Sequence, residues 1–258
     1  MVLLDMLRRI FEITLQLIIK DFKVRYKGTL LGYAWALVTP LVFACIFNFV
    51  FQHIIRFEVK DYPLFLVSGL FAWQWFSNSV SGGACCFLQN ASLIKKLNFQ
   101  RYLIPFSVVL IDALHFALAL PIILAFLLAW GKPVYYHSWW YGLPLVAVTQ
   151  LAIIYGATLG VSSLNTVFRD IDKVVTLLVA MLFYLTPVFY PLSIVPEDVV
   201  RFIQLNPMTG VISAWHGLFL DGSLDWGSLA YSMIWAVLLV LLGAFVYWQL
   251  NSRFAEML

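Results

Sequence analysis

Of the 258 residues, 63% are hydrophobic, 17% aromatic and only 11% charged. An ordinary soluble domain has roughly 45–50% apolar and about 25% charged residues, so a water-exposed fold of this length could not hide the apolar surface present. The formal net charge of +3 is accounted for by anchoring to an anionic membrane leaflet, and nucleic-acid binding is an unnecessary inference.

The 29 charged residues bunch between uncharged runs at 28–55, 62–94, 133–168, 174–196 and 226–252, with another at 102–131 broken only by Asp112. Each run exceeds the ~20 residues a helix needs to cross a hydrocarbon core. A spanning segment must satisfy its own backbone hydrogen bonds, and barrel-type alternation is absent, so the runs read as helices. The expected fold is all-α and polytopic: six transmembrane helices in one domain over 1–258, an N-terminal amphipathic interface helix, and a short re-entrant hairpin before the last span.

In chain order, residues 1–27 come first. Asp5, Arg8, Arg9, Glu12, Gln16, Lys20, Lys23 and Lys27 recur every three or four positions, opposite Leu3, Leu4, Leu7, Ile10, Phe11, Leu17 and Ile18. That is the pattern of a helix lying in the membrane interface, favoured over a soluble helix packed on a partner. Asp5, Glu12 and Lys20 interrupt any signal-peptide core. The first span opens with Gly28 and Gly32, a spacing that permits close helix approach, and Pro40 should bend it. The run 62–94 would measure about 50 Å as one helix. It is expected to bend at Ser77, Asn78, Ser79, Ser81, Gly82 and Gly83, and to end in a short cytoplasmic helix at about 90–101.

Span three covers about 103–130 and contains Asp112 and His115 on one face. A proton relay is one reading of this pair, but no further ionisable residues stand in other spans, so structural pairing is favoured. Span four follows an aromatic loop, Tyr135 to Trp140, and carries Gly156 and Gly160, a second close-packing signal. The segment 164–173 mixes apolar residues with Arg169, Asp170, Asp172 and Lys173, which suits a small docking element. Span five, about 174–190, ends at Pro187 and Pro191. The run around Asn206, Pro207 and Gly210 is expected to form the broken hairpin at about 195–218, and span six covers about 227–250.

Placing the N-terminus in the cytoplasm puts 12 Lys or Arg residues inside and 4 outside, so both termini should be cytoplasmic. No catalytic constellation and no metal-ligand spacing occurs. There is no phosphate-binding loop, since Lys132 follows Gly131 but precedes a proline. Cys45, Cys85 and Cys86 read as small buried residues. Aromatic rings in spans one and five, Tyr33, Trp35, Phe43, Phe47, Phe183, Tyr184, Phe189 and Tyr190, are either packing or a channel lining. As a lining they would offer apolar faces to sugars and hydroxyls for hydrogen bonds.

The block from Lys20 to Trp35, KDFKVRYKGTLLGYAW, resembles the N-terminal signature of ABC-2 type polysaccharide export permeases. Agreement continues at Gly69–Trp73, Asn165, Phe168–Ile171, Thr186–Pro191 and Asn206–Met208. The likeness is nearest the O-antigen branch. It implies a permease for lipid-linked polysaccharide in a bacterial cytoplasmic (inner) membrane, built from two copies of the chain and driven by two separate ATPase subunits. ATP and Mg would be bound by those partners, with no cofactor or metal in this chain. By the same resemblance Lys20, Asp21, Lys23, Arg25, Lys95, Lys96, Arg101, Arg169 and Asp170 become the coupling surface. Tyr33, Trp35, Phe43, Phe47, Phe183 and Tyr184 become the channel lining, and Phe189, Tyr190, Pro191, Asn206 and Pro207 the gate. The chain departs from the family at Gln100, where a proline is common, and at Trp215-His216, where an arginine is common. A teichoic acid, capsule, or small lipid or drug substrate stays open, as does a self-standing channel that works without an ATPase.

Overall fold

A computed structural model describes the chain apart from residues 1, 27, 29–31, 33, 55, 57, 58, 60, 253 and 255–258, and apart from the side chains of residues 2–4 and 26. The expectations for Tyr33 and Lys27 lie outside the described residues.

Among the described residues the fold is all-helical. α1 (Val2–Tyr26) leads to α2 (Ala34–Asn48), which continues as a π-helical turn, Phe49–Ile54. α3 (Tyr62–Ser77) also runs on into a π-helical turn, Asn78–Gly82. Two short helices, α4 (Cys86–Gln89) and α5 (Ala91–Lys96), precede the long α6 (Leu103–Ala129) and α7 (Tyr136–Val167). α8 (Ile171–Leu185), α9 (Glu197–Gln204) and α10 (Pro207–His216) are shorter, and α11 (Trp226–Asn251) completes the bundle.

Among the described residues four helices are long and apolar enough to cross a membrane: 34–54, 103–129, 136–167 and 226–251. The other two expected spans fall on α3 with its π extension and on α8. At 15 residues, α8 measures about 22 Å, short of a hydrocarbon core of about 30 Å. Its end has a local cause: Pro187 disfavours helical geometry at Thr186, which adopts ψ 139°. The aromatic stretch from Tyr136 to Trp140 forms the first turn of α7 and is not the loop that was expected. α9 and α10 break at Leu205-Asn206, where the Asn206 side chain accepts a hydrogen bond from the Met208 backbone N–H at 3.0 Å and Pro207 takes the first helical position.

Gly156 and Gly243 do the close packing. A Cβ on Gly156 would lie 2.4 Å from the Leu239 backbone, and one on Gly243 would lie 2.2 Å from the Gly156 oxygen. α7 and α11 therefore meet backbone to backbone, as the Gly156/Gly160 spacing predicts. At Gly28 and Gly32 no such contact occurs among the described residues: both have nothing within 4 Å of a built Cβ, and both hold positive φ, +78° and +52°. Their role is conformational, because only glycine enters the left-handed region without steric cost.

The main core gathers α3, α6, α7, α10 and α11 around Phe65, Trp75, Phe116, Ile153, Trp215 and Phe219. Buried polar links cross it. Trp215 Nε1 donates to Gln150 Oε1 at 2.6 Å, and Gln150 Nε2 donates to the Ala72 carbonyl at 2.7 Å, so α10, α7 and α3 share one chain of bonds. A second core, around Leu17, Phe87, Ile94, Leu103 and Tyr247, sits at the end where α1, α4 and α5 gather. On α1 the buried strip is Thr14 and Leu17, while Leu7 and Phe11 of the expected apolar face are 53% and 67% exposed. The helix thus rests one edge on the bundle and presents a second apolar edge outward, as an interfacial helix requires. Cys86 is buried and Cys85 partly so, but Cys45 is exposed on α2, against expectation.

An aromatic and polar groove as the candidate translocation site

Rings brought by three elements form one cluster. α2 contributes Phe43 and Phe47, a spacing of four that stacks them at 6.3 Å. α8 contributes Phe183 and Tyr184, and the segment after it adds Phe189 and Tyr190. Phe47 stacks on Phe189 at 5.5 Å and meets Phe183 at 6.0 Å, while Phe183 and Phe189 stand 5.4 Å apart. Predicted lining and predicted gate residues therefore touch one another. Trp73 of α3, which the sequence reading did not select as a site residue, joins at 5.7 Å from Phe183. Trp35, 52% exposed at the head of α2, has no ring partner among the described residues.

Of these rings, Phe43, Phe47, Trp73, Phe183 and Tyr184 line one side of a groove of about 690 Å³. The other side is polar: Gln74, Ser77, Asn78 and Ser81 project from the end of α3 and its π turn, with Thr176 across on α8. The sequence had marked this polar stretch only as a bend. A π turn carries one residue more than an α turn would, and here it faces the groove with Asn78, Ser81 and Gly82. Gln74 Nε2 donates to Asn78 Oδ1 at 2.5 Å. Apolar faces opposite hydroxyls and amides suit a ligand that itself alternates C–H surfaces with hydroxyls.

At one end of the groove lies Arg25, at the foot of α1. Its Nη1 bonds the Asp112 carboxylate at 2.5 Å, and Asp112 is only 1% exposed. Ser79 Oγ of the π turn donates to the other Asp112 oxygen at 2.9 Å, and His115 Nδ1 lies 3.5 Å away. Thr158 Oγ1 donates to the Ser79 carbonyl at 3.3 Å. The pairing of Asp112 with His115 expected from their spacing is present, but as the outer part of a network whose charge partner is Arg25.

At the opposite end the predicted gate residues are tied down. Tyr62 Oη donates to the Phe189 carbonyl at 2.8 Å, and Asn206 Nδ2 donates to Thr186 Oγ1 at 2.8 Å. Tyr190 Oη donates to the Tyr184 carbonyl at 3.2 Å, and Pro191 opens a single 3-10 turn, Leu192–Ile194. Pro207 starts α10.

The predicted coupling residues divide. Lys23, Lys95, Lys96, Arg169 and Asp170 are exposed. Lys20 bonds Asn90 and pairs with Asp21 at 2.9 Å, joining α1 to the linker between α4 and α5. Arg101 donates to the Asn251 carbonyl at 2.9 Å, which closes the end of α11. Arg25 and Arg101 therefore spend their charge inside the fold. No group of His, Cys, Asp and Glu with metal-binding geometry occurs among the described residues.

The profile of the ABC-2 type transporter family matches residues 13–220. The chain is 36% identical over 249 residues to an O-antigen export system permease protein RfbA of Klebsiella pneumoniae, covering 96% of each chain. It is 31% identical over 209 residues to a protein of the same name from Myxococcus xanthus, covering 80% of each. It is 24% identical over 238 residues to the polysialic acid transport protein KpsM of Escherichia coli, covering 90% of each. On a match over most of its length, the chain belongs to the ABC-2 type transporter family.

Proposed function

We propose that the chain is the permease subunit of an exporter that carries lipid-linked polysaccharide of the O-antigen type across a bacterial cytoplasmic membrane. The observation that carries this reading is the groove of about 690 Å³ with rings along one wall and amides and hydroxyls along the other. It is open along α2 and α8, whose outward faces are apolar: Val42, Ile46, Leu177 and Met181 are each about half exposed or more. A second copy of the chain closes the groove into a channel. Rings set at intervals let a polymer slide, because no single contact is deep.

In this reading the bundle has six spans, with α3 plus its π turn and α8 as the two beyond the four long helices. Both termini are cytoplasmic, and α9 and α10 form a hairpin that gates the outer end. Two separate ATPase subunits bind ATP and Mg and push on the exposed basic residues of α1 and α5 and on Arg169 and Asp170. The family assignment and the names of the relatives support the division of labour between permease and ATPase.

Deleting the chain in its host should remove a surface polysaccharide and leave that polymer inside the cell, read by cell-surface labelling and by gels of whole-cell glycan. Complementation with a Phe47→Ala/Phe183→Ala double variant should restore the protein to the membrane and its association with the ATPase, but less than about a tenth of the surface polymer. An unchanged surface glycan in the deletion strain refutes the transport reading. Full export by the double variant returns the rings to packing.

A further inference from the structure

A second cavity, of about 490 Å³, lies between α9 and the first two turns of α11. This is within the usual size of small-ligand sites. We propose that it is a saccharide-binding site, separate from the groove, that takes sugar units of the exported chain as they emerge. The proposal rests on the export function argued above.

The cleft has a fixed floor and an uncommitted rim. On the floor, α10 and α11 meet at their backbones: a Cβ on Gly210 would lie 2.3 Å from the Ser228 carbonyl oxygen and 2.4 Å from Ser232 Oγ. Ser232 Oγ donates to the Pro207 carbonyl at 2.9 Å, and Thr209 Oγ1 donates to the Ile203 carbonyl at 2.7 Å, holding α10 to both neighbours. The rim carries Arg201 and Gln204 from α9 and Tyr231 from α11. Among the described residues, none of these three makes a hydrogen bond or an ion pair within the fold. Donors on a guanidinium, donors and an acceptor on an amide, and a phenol with a ring face therefore converge on one space without internal partners.

Charge selects the ligand class. Asp225 sits beside this space and accepts from Gly227 N at 3.0 Å and from Ser228 Oγ at 2.6 Å. It occupies the N-terminal amides of α11 that an anion would otherwise use and adds a repelling charge. Arg201 equally disfavours a cation. A neutral polyol, with donors and acceptors on every carbon and apolar C–H faces for Tyr231, satisfies both charges. The position also fits. α9 separates this cleft from the apolar cavity behind α8, and Leu205 lines both. Tyr190 lines that same apolar cavity together with Val199 and Phe202 of α9, so a polymer passing Tyr190 would next meet α9.

The test uses the purified full-length permease with its ATPase, and as probe an octasaccharide freed by mild acid from the polymer lost on deletion of the chain. Saturation-transfer NMR and calorimetry should show binding. Arg201→Ala and Gln204→Ala should each weaken it about tenfold, the cost of one hydrogen bond to a charged or amide partner. Tyr231→Phe, which keeps the ring, should weaken it less than Tyr231→Ala. Equal affinity in the Arg201→Ala, Gln204→Ala and Tyr231→Ala variants, or no binding to the native complex, overturns the site while the deletion result still upholds export. Displacement of the octasaccharide by millimolar inorganic phosphate makes this an anion site and overturns the saccharide assignment. Loss of no surface glycan on deletion strikes instead at the export reading.

Discussion

Asp112 shows how far one residue's chemistry could be anticipated. The sequence placed an acid in an apolar helix, which demands a partner, and His115 three positions on was the local choice. The dominant partner is Arg25, 87 residues earlier, and no spacing rule reaches that far. The pair is lopsided, with Arg25 35% exposed and Asp112 1%. Removing the acid frees an arginine that can reach water, but removing the arginine strands a buried carboxylate. Arg25→Ala should therefore cost more folding stability than Asp112→Asn, on the order of 3 kcal/mol for breaking a buried pair from the exposed side. The measurement is the midpoint of unfolding in mixed detergent. Equal midpoints for the two variants would mean that Ser79 and His115 alone satisfy the carboxylate. The aromatic residues were half legible. Phe43, Phe47, Phe183 and Phe189 do converge, whereas Trp35 does not, because eight residues place it about 12 Å along the helix axis from Phe43.

At the scale of elements, helices and their punctuation were the most readable part. Asn206-Pro207 divides α9 from α10 as expected, since proline suits a first helical turn and asparagine a cap. Glycine was readable only in kind. The two small-residue pairs look alike in sequence, yet Gly28 and Gly32 serve positive φ while Gly156 serves contact with Gly243. What separates them is the backbone conformation of the glycines themselves, left-handed at Gly28 and Gly32 and helical at Gly156, which the spacing alone does not name. Substituting Gly243→Val would place a Cβ 2.2 Å from a backbone oxygen, with two further carbons beyond it. Overpacking of a backbone contact costs roughly 1–3 kcal/mol or more. The expected outcome is a sharp drop in monodisperse protein on size exclusion, with Gly28→Ala affected for a different reason and less, through backbone strain alone. The π turns were not legible. A single surplus residue leaves the hydrophobic pattern nearly intact, so Asn78–Gly82 read as a bend rather than as a wall of the groove.

For the molecule as a whole, composition identified a membrane protein and the run lengths identified the four long helices. The two other expected spans, on α3 and α8, are less regular because each ends in a segment that interrupts a regular apolar helix: polar residues for α3, prolines for α8. α2 with its π-helical turn is the least buried of the four long helices, as the proposed contact with a second copy requires. Cys45 is exposed on that helix, while Cys86 is buried and Cys85 partly so. A short bis-maleimide added to native membranes should therefore yield a covalent dimer through Cys45, and Cys45→Ser should abolish it. A monomer band alone, with Cys45 shown to be labelled, would place α2 against lipid and not against a partner.

The two bonds at the C-terminal end of α8 have a mechanical meaning. Tyr62 holds Phe189 just beyond the helix, and Asn206 holds Thr186 at its last turn, while the other end emerges at the exposed Arg169 and Asp170. The near end is pinned as well, because Asn165 Oδ1 of α7 accepts from the Asp172 backbone N–H at 3.1 Å. A tilt of about 5° over a length of about 22 Å shifts one tip by about 2 Å relative to the other, more than a hydrogen bond tolerates. In the exporter proposed above, a push near Arg169 therefore breaks the Asn165 bond first and widens the groove near Thr176, and the far end yields only once the Tyr62 and Asn206 bonds are released.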